Sequence, residues 1–307
     1  QQVDPYKEKD YEMMMADVIN TPRVYEKAKK EVERLLQNPA FSNEAGEIRS
    51  YLDRLFDYPW EKKDATNIDL ALAEKTLDRD HAGLKKVKDH ILEYLAVQKR
   101  VPSSKAPILC FVGPPGVGKT SISKAIAEAT GRKFARISLG GAHDESKIRG
   151  FMRTYVGARP GDIASAITQA GSNNPVILLD EIDKIGQNTF HGDPSAALLE
   201  VLDPEQNQNF KDNYLELGLD LSQVMFIATA NSMDIHPALR DRLELVHLNG
   251  YTPQEKLNIA RTKLLPKLLT KNGLSDNEFK MTDEAIKELV QKYTFEAGIR
   301  QLNRSLD

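Results

Sequence analysis

Cysteine is almost absent from this sequence: one residue in 307, Cys110, and it lies inside the apolar run PILCFV at 107–112. A lone cysteine excludes a disulfide framework and zinc-ligand spacing, suits a reducing compartment, and reads here as core filler. An excess of either charge is missing too. With 42 Lys and Arg against 45 Asp and Glu the formal net charge is −3, so nothing draws the whole chain toward nucleic acid. Only weak DNA binding through a local basic patch stays open. No apolar run approaches the roughly 18 residues that would span a bilayer, and the opening QQVDPYKEKD has no charged region followed by an apolar one. The chain is therefore expected to be neither membrane-spanning nor visibly targeted. It starts in mid-flow and stops at QLNRSLD inside a helical pattern, as expected of a piece of something longer.

What is present is ordinary for a well-cored protein of two or three domains: 40% hydrophobic and 28% charged residues. Val24, Ala28, Val32, Leu35 and Leu36 recur at helical spacing, as do Ile48, Tyr51, Leu52, Leu55 and Phe56 after the NPA break. They predict an antiparallel helix pair, an arm over 1–60, closed by DYPW and a polar linker. Two further helical stretches fill 69–100 before VPSSKAP. The rhythm then changes to the short apolar runs ILCFV, FARIS, VILLD, VMFIATA and LELVHL, with helical pattern after the first, third and fourth. Such runs imply an α/β fold, a mainly parallel sheet covered by helices on both faces, within a subdomain over 61–250. From 251 to 307 the pattern is helical again (253–270, 282–291, 296–305), a lid cut short at its end.

The loop Gly113, Pro114, Pro115, Gly116, Val117, Gly118, followed by Lys119 and Thr120, matches G-x-x-x-x-G-K-[ST], with a strand before it and a helix after. Its glycines let successive N–H groups converge on phosphate oxygens. Lys119 would reach the β and γ phosphates of a nucleotide, and the Thr120 hydroxyl would hold Mg2+. VILLDE delivers Asp180 and Glu181 to the carboxyl edge of a buried strand, Asp180 for the metal shell and Glu181 as the base that polarises water. VMFIATAN brings Asn231 to the same edge, where an amide can orient that water without adding charge.

In this order the motifs resemble the AAA+ ATPases. The strings LDRDHAGLKKVKDHILEYLAVQ, PILCFVGPPGVGKTS, RTYVGARPG, LLEVLDPEQN and GYTPQEKLNIA closely resemble the ATPase module of the Lon protease family, over roughly 23–307. The resemblance implies a P-loop AAA+ core with a helical arm and lid, ATP or ADP with Mg2+ as ligands, a hexameric homo-oligomer, unfolded or damaged proteins as partners, and a cytoplasmic home, with the mitochondrial matrix as alternative. It implies that Arg242 (runner-up Arg240) reaches a neighbouring subunit's nucleotide, that Arg300 senses nucleotide from the lid, and that His81, Gly83 and Tyr94 line the adenine pocket. Tyr155 and Val156 correspond to a central-pore loop that grips polypeptide, and 189–197 to a second one. The stretch GFMRTY departs from the family pattern, which usually has histidine and arginine before RTY, and Arg159 stands where methionine is common. Grip or substrate preference is where that difference would be felt. GDPSAA superficially resembles a serine-nucleophile motif, but Asp193 is expected to cap a helix with Pro194 and Ser195 in its first turn, so no peptide cleavage is expected. The competing readings are a P-loop small-molecule kinase, a DNA-binding AAA+ switch and a passive assembly module.

Overall fold

The computed structural model describes residues 8–39, 42–81, 83–101, 107–142, 144–185, 193–275 and 277–307. Among the described residues seven strands form: β1 (Ile108–Val112), β2 (Phe134–Ser138), β3 (Val176–Asp180), β4 (Phe210–Asp212), β5 (Leu217–Leu219), β6 (Met225–Ala230) and β7 (Leu243–His247). Five of them make one sheet in the order β2-β3-β6-β1-β7, while β4 and β5 pair as an antiparallel hairpin. β1 runs parallel to β6, with Cys110 opposite Ala228, and parallel to β7, with Ile108 opposite Leu243. The sheet strands are the five apolar runs of the sequence. β3 and β6 are buried at every residue, which is why they read as continuous apolar runs rather than alternating ones.

The described residues group into two compact units. One comprises Gln1–Ala65, Arg132–Ile177 and Ile185–Phe226. It contains the helices Pro22–Gln37 and Asn43–Asp57, which bury Val24, Ala28 and Leu35 on one side and Ile48, Tyr51, Leu52 and Leu55 on the other. The stretch read as a linker is pinned rather than loose. Asn173 N donates to Lys62 O at 2.7 Å, and Asp64 and Asn174 exchange hydrogen bonds of 2.8 and 2.9 Å. A helix at Asp162–Ala170 and the β4–β5 hairpin were not anticipated. The helix has only nine residues, rich in Ala, Ser and Thr, and the hairpin strands have three each, too few to show alternation.

The other unit comprises Thr66–Gly131, Leu178–Lys184 and Ile227–Asp307. Its lid is built on a buried cluster of Leu257, Ala260, Ile286, Val290 and Leu302. Thr252 and Glu255 form a capping box that starts Pro253–Ile259, and a π turn, Ala260–Leu264, leads into Leu265–Lys271. The π turn falls just before Pro266, which has no N–H to continue the regular ladder. The last helix is shorter than its sequence pattern: it spans Arg300–Leu306 because Gly298 and Ile299 lie instead against the glycine-rich loop. Ile299 N donates to Gly116 O at 3.1 Å, and a Cβ on Gly298 would come within 2.5 Å of Pro115 O.

Candidate functional site

Every residue assigned to nucleotide belongs to that second unit. β1 feeds the loop 113–118, and Gly113 N donates to Ala230 O at 3.1 Å, so the loop begins fastened beside β6. A Cβ on Gly113 would lie 2.2 Å from Leu248 O. Gly116 and Gly118 have φ of +85° and +97°, the left-handed region where glycine is favoured. Gly118 caps the helix Lys119–Ala129, whose first N–H groups have no intrahelical acceptor and make a positive pole suited to phosphate. Tyr251 Oη donates to Val117 O at 2.8 Å and braces the loop.

Lys119 is buried, and its Nζ donates to Gly113 O, to Pro114 O at 3.1 Å and to Asn231 Oδ1 at 2.8 Å. Burial pushes its ammonium below the ordinary lysine range, against the pull of Asp180, Asp183 and Glu181. The lysine, the acids and the amide are thus brought to one rim. At the end of β3 the buried Asp180 accepts a hydrogen bond from Thr229 Oγ1 on β6, and the same oxygen accepts Glu181 N at 3.2 Å. Glu181 is held at φ +61°, a conformation that costs a non-glycine residue on the order of 1–3 kcal/mol and clusters at functional sites. Its carboxylate pairs with the half-exposed Lys184 at 2.7 Å.

His81 is buried, with ring atoms 3.2 and 3.3 Å from where a Cβ on Gly118 would be, so it lies beside the loop while also ending the helix Leu70–Asp80. Gly83 (φ +69°) and Leu84 (φ 57°) turn the chain into Lys85–Arg100, on which Tyr94 is half-buried. Arg300 is exposed, and its Cβ would be 3.1 Å from a Cβ on Gly116. Arg242, exposed like Arg240, precedes β7, and its carbonyl oxygen accepts a hydrogen bond from Ile108 N at 3.0 Å. It therefore stands at the opposite end of β1 from the loop, five residues or roughly 16 Å along the strand.

In the first unit, residues 151–159 form a loop closed by Phe151 N to Arg159 O at 3.1 Å. Its stem is tight: Gly150 and Gly161 approach so closely that a Cβ on Gly161 would meet Ile148 O at 2.1 Å. Tyr155 is 63% exposed and Val156 fully so. Of the second loop, residues 189–192 lie outside the described residues. Asp193 does cap the helix Pro194–Leu202, accepting Ser195 N at 2.8 Å, and Ser195 is buried.

Sequence reasoning missed Thr229, Tyr251 and Asp183. Each acts through a partner distant along the chain, and only Asp183, third after Asp180 in DEID, carried a hint in its spacing. Among the described residues no cluster of three or more His, Cys, Asp and Glu could hold a metal ion. Of the two residues read for Mg2+, Asp180 is a buried carboxylate at the end of β3 and Thr120 stands in the first turn of the helix Lys119–Ala129. No described helix is long and apolar enough to cross a membrane.

With this geometry in hand, comparison with known proteins is specific. Residues 109–251 match the model of the ATPase family associated with various cellular activities, AAA, and residues 270–307 match that of the Lon protease AAA+ ATPase lid domain. The chain is 56% identical over 278 residues to a Lon protease of Lawsonia intracellularis, covering 90% of this chain and 33% of that protein. Over 297 residues it is 52% identical to a Lon protease of Acinetobacter baumannii, covering 97% and 37%. Over 286 residues it is 55% identical to Lon protease 2 of Myxococcus xanthus, covering 93% and 34%. The chain thus spans about a third of the length of the curated relatives it matches.

Proposed function

This chain belongs to the Lon protease family through its AAA ATPase and lid domains, and on that footing we propose that it is the ATP-driven motor of a Lon-type protease, unfolding proteins and threading them through a hexameric ring. The observation that carries the reading is the bond between Lys119 Nζ and Asn231 Oδ1 at 2.8 Å, formed beside the Asp180–Thr229–Glu181 tie. In this reading those side chains receive the terminal phosphate of ATP. On binding, Lys119 exchanges neutral carbonyl acceptors for charged phosphate oxygens, which form stronger hydrogen bonds. Glu181 takes the proton of the attacking water, and Asn231 orients that water with its amide N–H. Thr120 and Asp180 would hold Mg2+, which when bound neutralises charge on the phosphates.

Arg242 supports assembly, because a strand's length separates it from its own phosphate loop and leaves a neighbouring copy's nucleotide as its target. Arg300 is the lid's contribution in the same copy, and His81, with Gly83 and Tyr94, forms the adenine side. Tyr155 and Val156 grip polypeptide through bulk alone, which accommodates many sequences. Bacterial relatives and the single buried cysteine favour the cytoplasm. DNA binding finds no support in the comparisons, and a kinase has no use for an arginine placed a strand's length from its own cradle.

The test is an ATP titration of hydrolysis combined with light scattering, with and without nucleotide. Saturable hydrolysis and growth of a six-copy species on adding ATP are expected. A chain that binds no nucleotide at any concentration would contradict the reading.

A further inference from the structure

Asp183 touches none of the groups assigned to chemistry by side chain, yet it holds one of them by its backbone. It lies on the 3-10 turn Ile182–Lys184, just beyond Glu181. Its Oδ2 accepts Asn231 N at 3.2 Å, Ser232 N at 3.1 Å and Ser232 Oγ at 3.2 Å. Its Oδ1 is buried without a hydrogen-bond partner. A carboxylate is an acceptor only, and its charge makes each bond to an N–H or O–H stronger than a neutral acceptor would.

The donors it gathers are the first two residues past the end of β6, the point at which the sheet stops dictating where the backbone goes. Nothing in an isolated strand end would fix the Asn231 side chain. Yet its Oδ1 must meet Lys119 Nζ at 2.8 Å, which leaves the amide NH2 as the donor for water or phosphate. Thr229 ties the same two strand ends one step earlier, by way of Asp180 and Glu181 N. Asp183 extends the tie past the strand, so that the loop bearing the base and the loop bearing the amide move together. The alternative is an ordinary turn cap, which would support the fold and leave turnover alone.

We infer that Asp183 is a positioning residue for ATP hydrolysis: it locks the backbone at Asn231 and Ser232 so that the Asn231 amide keeps its place relative to Lys119 and Glu181, an inference that rests on the hydrolytic reading of this site. Asp183 needs no contact with nucleotide to do this. Its loss is therefore felt in the rate of the bound state rather than in binding.

The experiment compares the 307-residue chain as wild type, Asp183→Ala, Asp183→Asn, Asn231→Ala and the double variant Asp183→Ala/Asn231→Ala, measuring steady-state ATP hydrolysis and affinity for a fluorescent ATP analogue. Asp183→Ala should lower kcat by about tenfold or more while KM and analogue affinity stay within about threefold, because only the placement of the amide is lost. Asp183→Asn keeps an acceptor oxygen and should recover most of the rate. The double variant should be no slower than Asn231→Ala, since both act through one group. Wild-type kcat in Asp183→Ala alongside a slow Asn231→Ala, or a double variant slowed by the product of the single effects, would overturn the inference and leave the ATPase assignment standing. A wild type that hydrolyses no ATP would overturn both. If Asp183→Ala does not fold, the exposed Ser232→Ala is the milder variant: it deletes the hydroxyl's bond to Asp183 and the one that hydroxyl accepts from Asp234 N, and keeps both backbone bonds to Asp183. It should slow the wild type about twofold and leave Asn231→Ala unchanged, and an equal loss in both backgrounds would overturn the inference.

Discussion

Arg153, two residues before the exposed Tyr155, forks its guanidinium onto the buried carboxylate of Glu31, with Nη1–Oε1 at 2.8 Å and Nη2–Oε2 at 3.1 Å. Its Cζ also lies over the Tyr51 ring, 3.9 Å from the centroid, and Tyr51 Oη donates to Leu215 O at 2.7 Å. The base of the proposed pore loop thus hangs from the helices Pro22–Gln37 and Asn43–Asp57.

Glu31→Ala would leave that guanidinium partly buried and unpaired, at a cost of about 3 kcal/mol, while Glu31→Gln should cost less because an acceptor oxygen remains. Burial alone would raise the Glu31 carboxyl, but the hydrogen bonds and charge of Arg153 outweigh it and hold the group below its ordinary value of 4.5. Its folded value lies below its unfolded one, so this stabilisation is complete above about pH 4.5 and fades as acid protonates the folded carboxylate. Denaturant unfolding followed from neutral to acidic pH checks this: wild type should lose stability over that range, and Glu31→Ala should start lower and lose less.

Gly298→Ala should loosen the lid from the phosphate loop. The new methyl would meet Pro115 O and the Gly116 carbonyl carbon at 2.5 Å, an overlap that costs about 1–3 kcal/mol to relieve. ATP affinity should fall roughly threefold to tenfold in equilibrium binding. Gly46→Ala, with nothing within 4 Å and on the exposed side of a helix, should instead stabilise the chain by about 0.5–1 kcal/mol.

Tyr155→Ala should leave nucleotide affinity unchanged and abolish most stimulation of hydrolysis by an unfolded protein. The ring is solvent-exposed at the tip of its loop and supports no buried contact whose loss would unfold the chain. Full stimulation in this variant would remove the loop from the motor.

The sheet was legible because strands covered on both faces appear as unbroken apolar runs, and the phosphate loop because its function demands glycines at fixed spacing. Asp183 was not, since its meaning comes from Asn231 and Ser232, which are near only once β3 and β6 lie in one sheet. The start of the last helix was misread for a related reason. Local pattern favours helix from 296, but Gly298 and Ile299 are claimed by contacts with Pro115 and Gly116 far back in the sequence. The helix Asp162–Ala170 escaped because its apolar stripe is thin, Ile163 and Ile167 apart from small residues.

The most direct measurement pairs Lys119→Ala with Glu181→Gln and determines ATP affinity and hydrolysis rate for each against wild type. Lys119→Ala should lose nucleotide binding, whereas Glu181→Gln should bind ATP as wild type does and hydrolyse it about 100-fold or more slowly, since only the base is gone. Equal hydrolysis by wild type and Glu181→Gln would contradict the account.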